Sequence, residues 1–157
     1  MVNDLFDGIA KLSIKMRIFR AIQSADSEAG DLKDREVLIL ELLHTQGSMS
    51  MTDLSHFFPG VKASTLSMDV KRLRTDLDLI DMTVSKSDMR VHLIELTDKG
   101  RKKVREIKHQ RAKSYLPLSA AIGNNAEDIR LLTQIVDRAI DQVDVEINQF
   151  AESKKQG

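Results

Sequence analysis

The 157-residue chain has no cysteine, no tryptophan, one tyrosine and two prolines. Without cysteine there is no disulfide, no thiol nucleophile, no thiolate metal site and no cysteine redox switch. Net charge is missing too: 24 lysine and arginine side chains are matched by 24 aspartates and glutamates. No global field therefore announces a polyanion, a membrane or an acidic substrate. The longest apolar run, VLILELL at residues 37–43, is interrupted by Glu41 and falls far short of the roughly 20 residues that span a bilayer. The amino terminus lacks the apolar stretch and small-residue cleavage site of a signal peptide. With no glycine-rich phosphate loop and only scattered histidines, no catalytic constellation forms, so the expectation is a soluble cytoplasmic protein that is not an enzyme.

What is present becomes informative when the charge is divided along the chain. Residues 62–113 hold 14 basic and 8 acidic side chains, a net of +6, and residues 114–157 hold 4 basic and 7 acidic, a net of −3. The middle of the chain is thus the part suited to a polyanion. At the amino-terminal end, Leu5, Ile9, Leu12, Met16 and Phe19 recur at steps of four and three, a heptad-like helical seam broadened by Phe6 and Ile22. Gly30 and Asp31 then break the pattern. LKDREVLILELLHTQG reads as a buried helix with Asp31 as its N-cap and Gly47 just past its end.

Ser50 followed by Asp53 has the spacing of a capping box and opens the short helix MTDLSHFF, which Pro59-Gly60 closes. In KASTLSMDVKRLRTDL, Leu66, Val70, Leu73 and Leu77 lie at helical spacing, leaving Ser64, Thr65, Ser67, Met68, Lys71, Arg72 and Arg74 on the other face. Two helices joined by a tight turn make a helix-turn-helix candidate. LIDMTVS and RVHLIEL, separated by KSDM, read as a two-stranded hairpin with a charged tip. Thr97 is placed to cap a long helix that Leu116-Pro117 breaks. Near the carboxyl end Ile129, Leu132, Val136, Ile140, Val143, Ile147 and Phe150 recur at steps of three or four, ahead of a frayed tail AESKKQG.

The order helix, helix, turn, helix, hairpin is that of a winged helix-turn-helix, mainly α with a small β-hairpin wing. Its second motif helix fits a DNA major groove about 12 Å wide. Ser64, Thr65 and Ser67, near that helix's start, suit phosphates, and Lys71, Arg72 and Arg74 add charge further along. At the wing, Arg90 with Lys86 beside it is the candidate for the minor groove, where negative potential concentrates.

Asp88-x-Arg90, followed by Leu96-Thr97-Asp98-Lys99-Gly100, resembles the wing and following helix start of the multiple antibiotic resistance regulator (MarR) family. That pattern is aspartate-x-arginine and then leucine-threonine-x-x-glycine, matched here without insertion. The resemblance extends over most of the chain, with the wing motif as its specific part. It implies a homodimeric DNA-binding regulator, usually a repressor, with terminal dimerisation helices and, in many members, release from DNA by a small aromatic acid or phenolic ligand. By the same resemblance Ser64, Thr65 and Ser67 meet phosphates or bases, Arg90 enters the minor groove, and Asp88 positions the wing.

Two departures stand out. Met68 stands where many relatives have a polar or basic residue, which leaves apolar contact with thymine methyls as its means of reading a base. The glycine usual between recognition helix and first wing strand is missing from TDLDLID, and Asp78 is the candidate for the left-handed turn, at some cost.

The resulting division is a dimerisation helix at 1–28, a DNA-binding lobe at 31–97, and a linker helix with a second dimerisation helix at 98–157, forming one domain overall. Leu5, Ile9, Leu12 and Met16 at one end and Val136, Ile140, Val143 and Ile147 at the other are the dimerisation candidates. The expected partners are a palindromic duplex, a second copy of the chain and a small-molecule effector. The alternative is a winged protein-interaction or dimerisation module without specific DNA binding. The basic run from Arg101 to Lys113 surrounds its helix and reads as a solvated linker. His44 and His109 invite a metal reading that no His-x-x-x-His spacing supports, so neither metal nor other cofactor is expected.

Overall fold

A computed structural model describes residues 1–24 and 32–155 of the chain. In order the elements are α1 (Val2–Ser24), α2 (Asp34–Gln46), β1 (Met49–Ser50), α3 (Met51–His56), α4 (Ala63–Thr75), β2 (Ile80–Val84), β3 (His92–Leu96), α5 (Asp98–Ser114), α6 (Leu116–Ile122) and α7 (Ala126–Lys155). They divide into two compact units, Met1–Leu32 with Arg105–Gly123, and Lys33–Val104 with Asn124–Gly157. The expected architecture, mainly α with a small wing, is the one observed.

The second unit holds the core. Ile39, Leu40 and Leu43 of α2, Leu54 of α3, Leu66, Val70 and Leu73 of α4, Ile80 of β2, Ile94 and Leu96 of β3 and Val104 of α5 are all buried. Helix α2 starts at Asp34 with Lys33 as its N-cap, because the Glu36 carboxylate reaches back to accept the Lys33 N–H at 2.8 Å. The expected N-cap, Asp31, and the expected break at Gly30 lie outside the described residues. Gly47 does end α2, at φ 82°, donating to Leu43 O.

The capping box at α3 forms as read: Ser50 Oγ accepts the Asp53 N–H, and the Asp53 carboxylate accepts the Ser50 N–H, both at 3.1 Å. Pro59-Gly60 then makes a turn closed by Val61 N–H to Phe58 O at 3.1 Å, with Gly60 at φ 87°, the signature of a type II turn. A β-carbon on Gly60 would lie 3.1 Å from the ring of Phe150 in α7, so this turn is also a packing point.

The expected hairpin wing forms, with β2 and β3 antiparallel and Ile80 opposite Leu96, and a third strand not expected from the sequence extends it: the sheet runs β1-β3-β2, with Met49 opposite Ile94. The added strand, two residues long, ends on the N-cap of α3, so periodicity had nothing to register. At the carboxyl end, α7 stays helical through Lys155, where a frayed tail was expected.

In the first unit, α1 has only Met16 and Phe19 half-buried among residues 1–22, and Leu5, Ile9 and Leu12 are exposed. Ser114, at the end of α5, is buried with its hydroxyl donating to Arg111 O at 2.6 Å. Helix α6 follows with Pro117 in its first turn, where a missing N–H costs little. Among the described residues no helix is long and apolar enough to cross a membrane.

Candidate nucleic-acid interface

Helix α4 supplies the long polar face. Leu66, Asp69, Val70 and Leu73 are buried, and at about 100° per residue the opposite side is centred on Ser64, Ser67, Met68 and Lys71. All four are exposed, and Met68 most conspicuously, at 70%. Thr65 is half-buried at the margin of this face. Arg74 is exposed and lies 3.6 Å from Asp81 of β2, a surface pair of small energetic weight.

Arg72 differs from its expected placement. It points away from the exposed face, with Nη1 donating to Glu36 Oε2 of α2 at 2.6 Å. Arg72 lies about 120° from Leu66 on the side of Asp69, at the margin of the face, where buried Glu36 of α2 captures it. Asp69, also buried, accepts from Arg35 Nε and lies 3.9 Å from Lys33 Nζ. Its hydrogen bond, ahead of the opposing desolvation, holds the Arg35 guanidinium above its ordinary range.

Helix α2 thus offers a cation and an anion at adjacent positions, and α4 returns an anion and a cation one turn apart. Such pairs add little net stability over an apolar core, but each becomes costly once one partner is lost. Rotating α4 about its axis would break both, so they hold the Ser64–Met68–Lys71 face outward. Glu36 Oε1 is buried without a hydrogen-bond partner, which deepens the dependence of this carboxylate on Arg72.

Sequence reasoning gave Arg35, Glu36 and Asp69 no role, although a signal existed. Glu36 stands with Ile39, Leu40 and Leu43, and Asp69 with Leu66, Val70 and Leu73, on the same three-one-three spacing as the core residues. A charge on an apolar stripe demands a buried partner.

A second lock sets the wing against α4. Asp78 adopts the left-handed conformation, φ 55°, as the missing glycine implied. The end of α4 is widened there, with Leu77 N–H bonding Arg72 O at 3.2 Å and Leu79 N–H bonding Leu73 O at 2.9 Å. The Leu-Thr-x-x-Gly segment then secures this turn. Thr97 Oγ1 donates to Asp78 O at 2.8 Å and accepts the Gly100 N–H at 3.0 Å, and Lys99 Nζ donates to Leu77 O at 2.7 Å. A β-carbon on Gly100 would lie 1.9 Å from Leu79 O; only glycine lets α5 approach so closely. The motif's spacing therefore makes a clamp joining the helix, the first wing strand and α5.

At the wing tip the Asp88 carboxylate accepts the Arg90 backbone N–H at 2.9 Å, and Val91 N–H bonds Asp88 O at 3.0 Å. Asp88 therefore shapes the turn through the backbone. Among the described residues no ion pair engages Arg90 or Lys86, and both are exposed beside Met89, which is 84% exposed. The tip is a cation presented on a braced loop. Among the described residues no group of three or more histidines and carboxylates is placed to hold a metal ion; His44 and His109 are exposed.

No protein-family model matches the chain. Solved structures do. One is a MarR-family regulator from Listeria monocytogenes, described as putative and complexed with 26mer DNA: 17% identity, 94% of this chain and 93% of that one, TM-score 0.64. The chain has the MarR-type winged-helix fold. The RV1404 protein of Mycobacterium tuberculosis has the same arrangement, at 21% identity over 88% of this chain and 94% of that one, with TM-score 0.70. So has BpsR of Bordetella bronchiseptica, whose DNA binding is regulated by 6-hydroxynicotinic acid, at 20% identity over 85% and 93%, TM-score 0.55. A stretch of 59 residues is 34% identical to histidinol dehydrogenase of Leptospira biflexa. It covers 38% of this chain and only 14% of that enzyme. In this MarR-type frame, α4 is the second helix of the helix-turn-helix and the β2–β3 loop is the wing.

Proposed function

We propose that the protein is a homodimeric, sequence-specific DNA-binding transcription regulator that acts as a repressor in the cytoplasm, and not an enzyme. Helix α4 enters the major groove, Ser64, Thr65 and Ser67 meet phosphates or bases, and Lys71 supplies charge along the backbone. Arg74 adds a weaker charge, as its pair with Asp81 is exposed. Lys86 and Arg90 reach the adjacent minor groove. The observation that carries this reading is the exposed Arg90, in no ion pair among the described residues, on a wing whose base is clamped to α4 by Thr97, Lys99 and Gly100.

Residues 31–97 are the DNA-binding lobe in this reading, and residues 1–28 and 98–157 supply the dimerisation helices. The seams favour this: Leu5, Ile9, Leu12, Val136, Ile140, Val143 and Ile147 are exposed and Met16 half-buried, more apolar stripe than a monomer normally leaves bare. A two-fold dimer would place its recognition helices about 34 Å apart on a palindromic operator. A small-molecule effector belongs to the proposal on the likeness to the Bordetella protein.

The test is binding of the full chain to duplexes selected from a random pool. The expected affinity falls steeply with salt, each neutralised phosphate adding about 0.9 to the log-log slope. Lys71→Ala and Arg90→Ala should each weaken binding and flatten that slope. Unchanged affinity in both variants would end the reading.

A further inference from the structure

Arginine is the side chain best matched to guanine, because its planar fork meets the N7 and O6 acceptors together. Helix α4 has two arginines, and neither stands at the centre of its outward face: Arg72 is committed to buried Glu36, and Arg74, about 80° from Leu66 around the helix, lies at the margin beside Asp81. Around the centre of that face stand two serines, Lys71 and Met68. Serine hydroxyls serve any base or phosphate, and lysine acts mainly as a point charge. Met68 is different. At 70% exposure it holds a flexible apolar side chain in water, at the middle of a helix otherwise polar on that side.

We infer that Met68 is the specificity-determining residue of α4 and that it takes thymine, packing its thioether end on the C5 methyl in the major groove of each half-site. This rests on the DNA-binding reading above. The C5 methyl is the one apolar group that an unmodified base edge displays in that groove, and methionine adapts its shape to an apolar partner at low cost. The two buried ion pairs between α2 and α4 make the contact directional. They hold Asp69 and Arg72 inward and so keep Met68 at the crest of the helix.

The test uses the full chain and the duplexes recovered from a random-sequence pool. Each thymine is replaced singly by deoxyuridine, which removes the methyl and leaves the pairing unchanged. One position per half-site should be sensitive, with affinity falling about fourfold for the loss of one buried methyl-sized group. Met68→Ala, at an exposed position that leaves the melting temperature unchanged, should bind the thymine and uracil duplexes equally. Lys71→Ala should weaken both alike and keep their ratio.

The inference is overturned if no thymine is sensitive, if the Met68→Ala protein still distinguishes the two duplexes, or if the half-site is defined by a guanine whose preference disappears in Arg74→Ala. Those outcomes leave DNA binding itself intact. Failure to retain any duplex from the pool would instead remove the DNA-binding reading, and this inference with it.

Discussion

The core of residues 33–104 and the long helices α1 and α7 carry similar apolar side chains and treat them in opposite ways. Ile39, Leu40, Leu54, Leu66, Leu73 and Ile94 are fully buried, whereas in α7 Ile140 is 52% and Val143 55% exposed. In the core, each apolar stripe finds another within the same short stretch of chain. On the terminal helices the stripes recur just as regularly but meet too little of their own chain to be covered. Regular spacing therefore establishes that a helix has an apolar face and says nothing about whose surface will cover it. The difference separates a part whose apolar faces cover one another from helices whose apolar faces stay open.

The largest expected effect breaks that comparison at the seam. Ile140→Asp with Val143→Asp should give a monomer by analytical ultracentrifugation and weaken binding to a palindromic duplex by about 100-fold, since two linked half-site contacts become independent. The melting of the 33–104 core should stay nearly unchanged. A dimer surviving with full affinity would show that the α7 seam is covered in some other way.

Next in size is the core's own weak point. Arg72→Ala leaves the Glu36 carboxylate buried without its cation and should cost about 3 kcal/mol in chemical denaturation. Replacing Glu36 and Arg72 together by leucine should recover most of that loss, because no uncompensated charge remains. Dimerisation through the terminal helices should be unaffected by the double change at equal folded concentration.

Gly100→Ala sharpens the comparison at the wing. With Leu79 O where the β-carbon would go, the backbone must shift, at a cost of about 2 kcal/mol. Duplex affinity should fall by more than stability loss alone explains, because the wing moves relative to α4. The smallest effect lies at the capping box of α3. The Ser50 hydroxyl, with its backbone N–H second, holds the Asp53 carboxyl below its ordinary 3.8. Its folded pKa is lowered, so its contribution is fully present above the ordinary value and is lost as pH falls through the lowered one. Melting curves of Asp53→Asn should accordingly show a shallower decline below pH 3.8 than those of the unaltered chain.

Much of the candidate interface was legible because its signals are local. Ser50 and Asp53, Gly47, Pro59-Gly60, the left-handed Asp78 and the capping Thr97 each act within a few residues, and all of these stand as read. Strand β1 escaped because two residues show no alternation. Arg72 was placed on the outer face because the partner that draws it inward, Glu36, lies 36 residues away in α2. The start of α2 moved because Glu36, buried by the core, was in position to cap Lys33.

By itself the sequence determined the order of the motif helices and the hairpin strands, most of the caps and turns that bound them, and the apolar spacing of each helix, since backbone preference and periodicity operate over a turn or two of chain. Tertiary structure alone decided which charges pair across α2 and α4, that Met49–Ser50 joins the sheet, and that Gly100 must admit Leu79 O. Those outcomes depend on groups far apart in the chain that meet only after the core has closed. A side chain's local pattern states what it needs, and the packed fold selects the partner that meets the need.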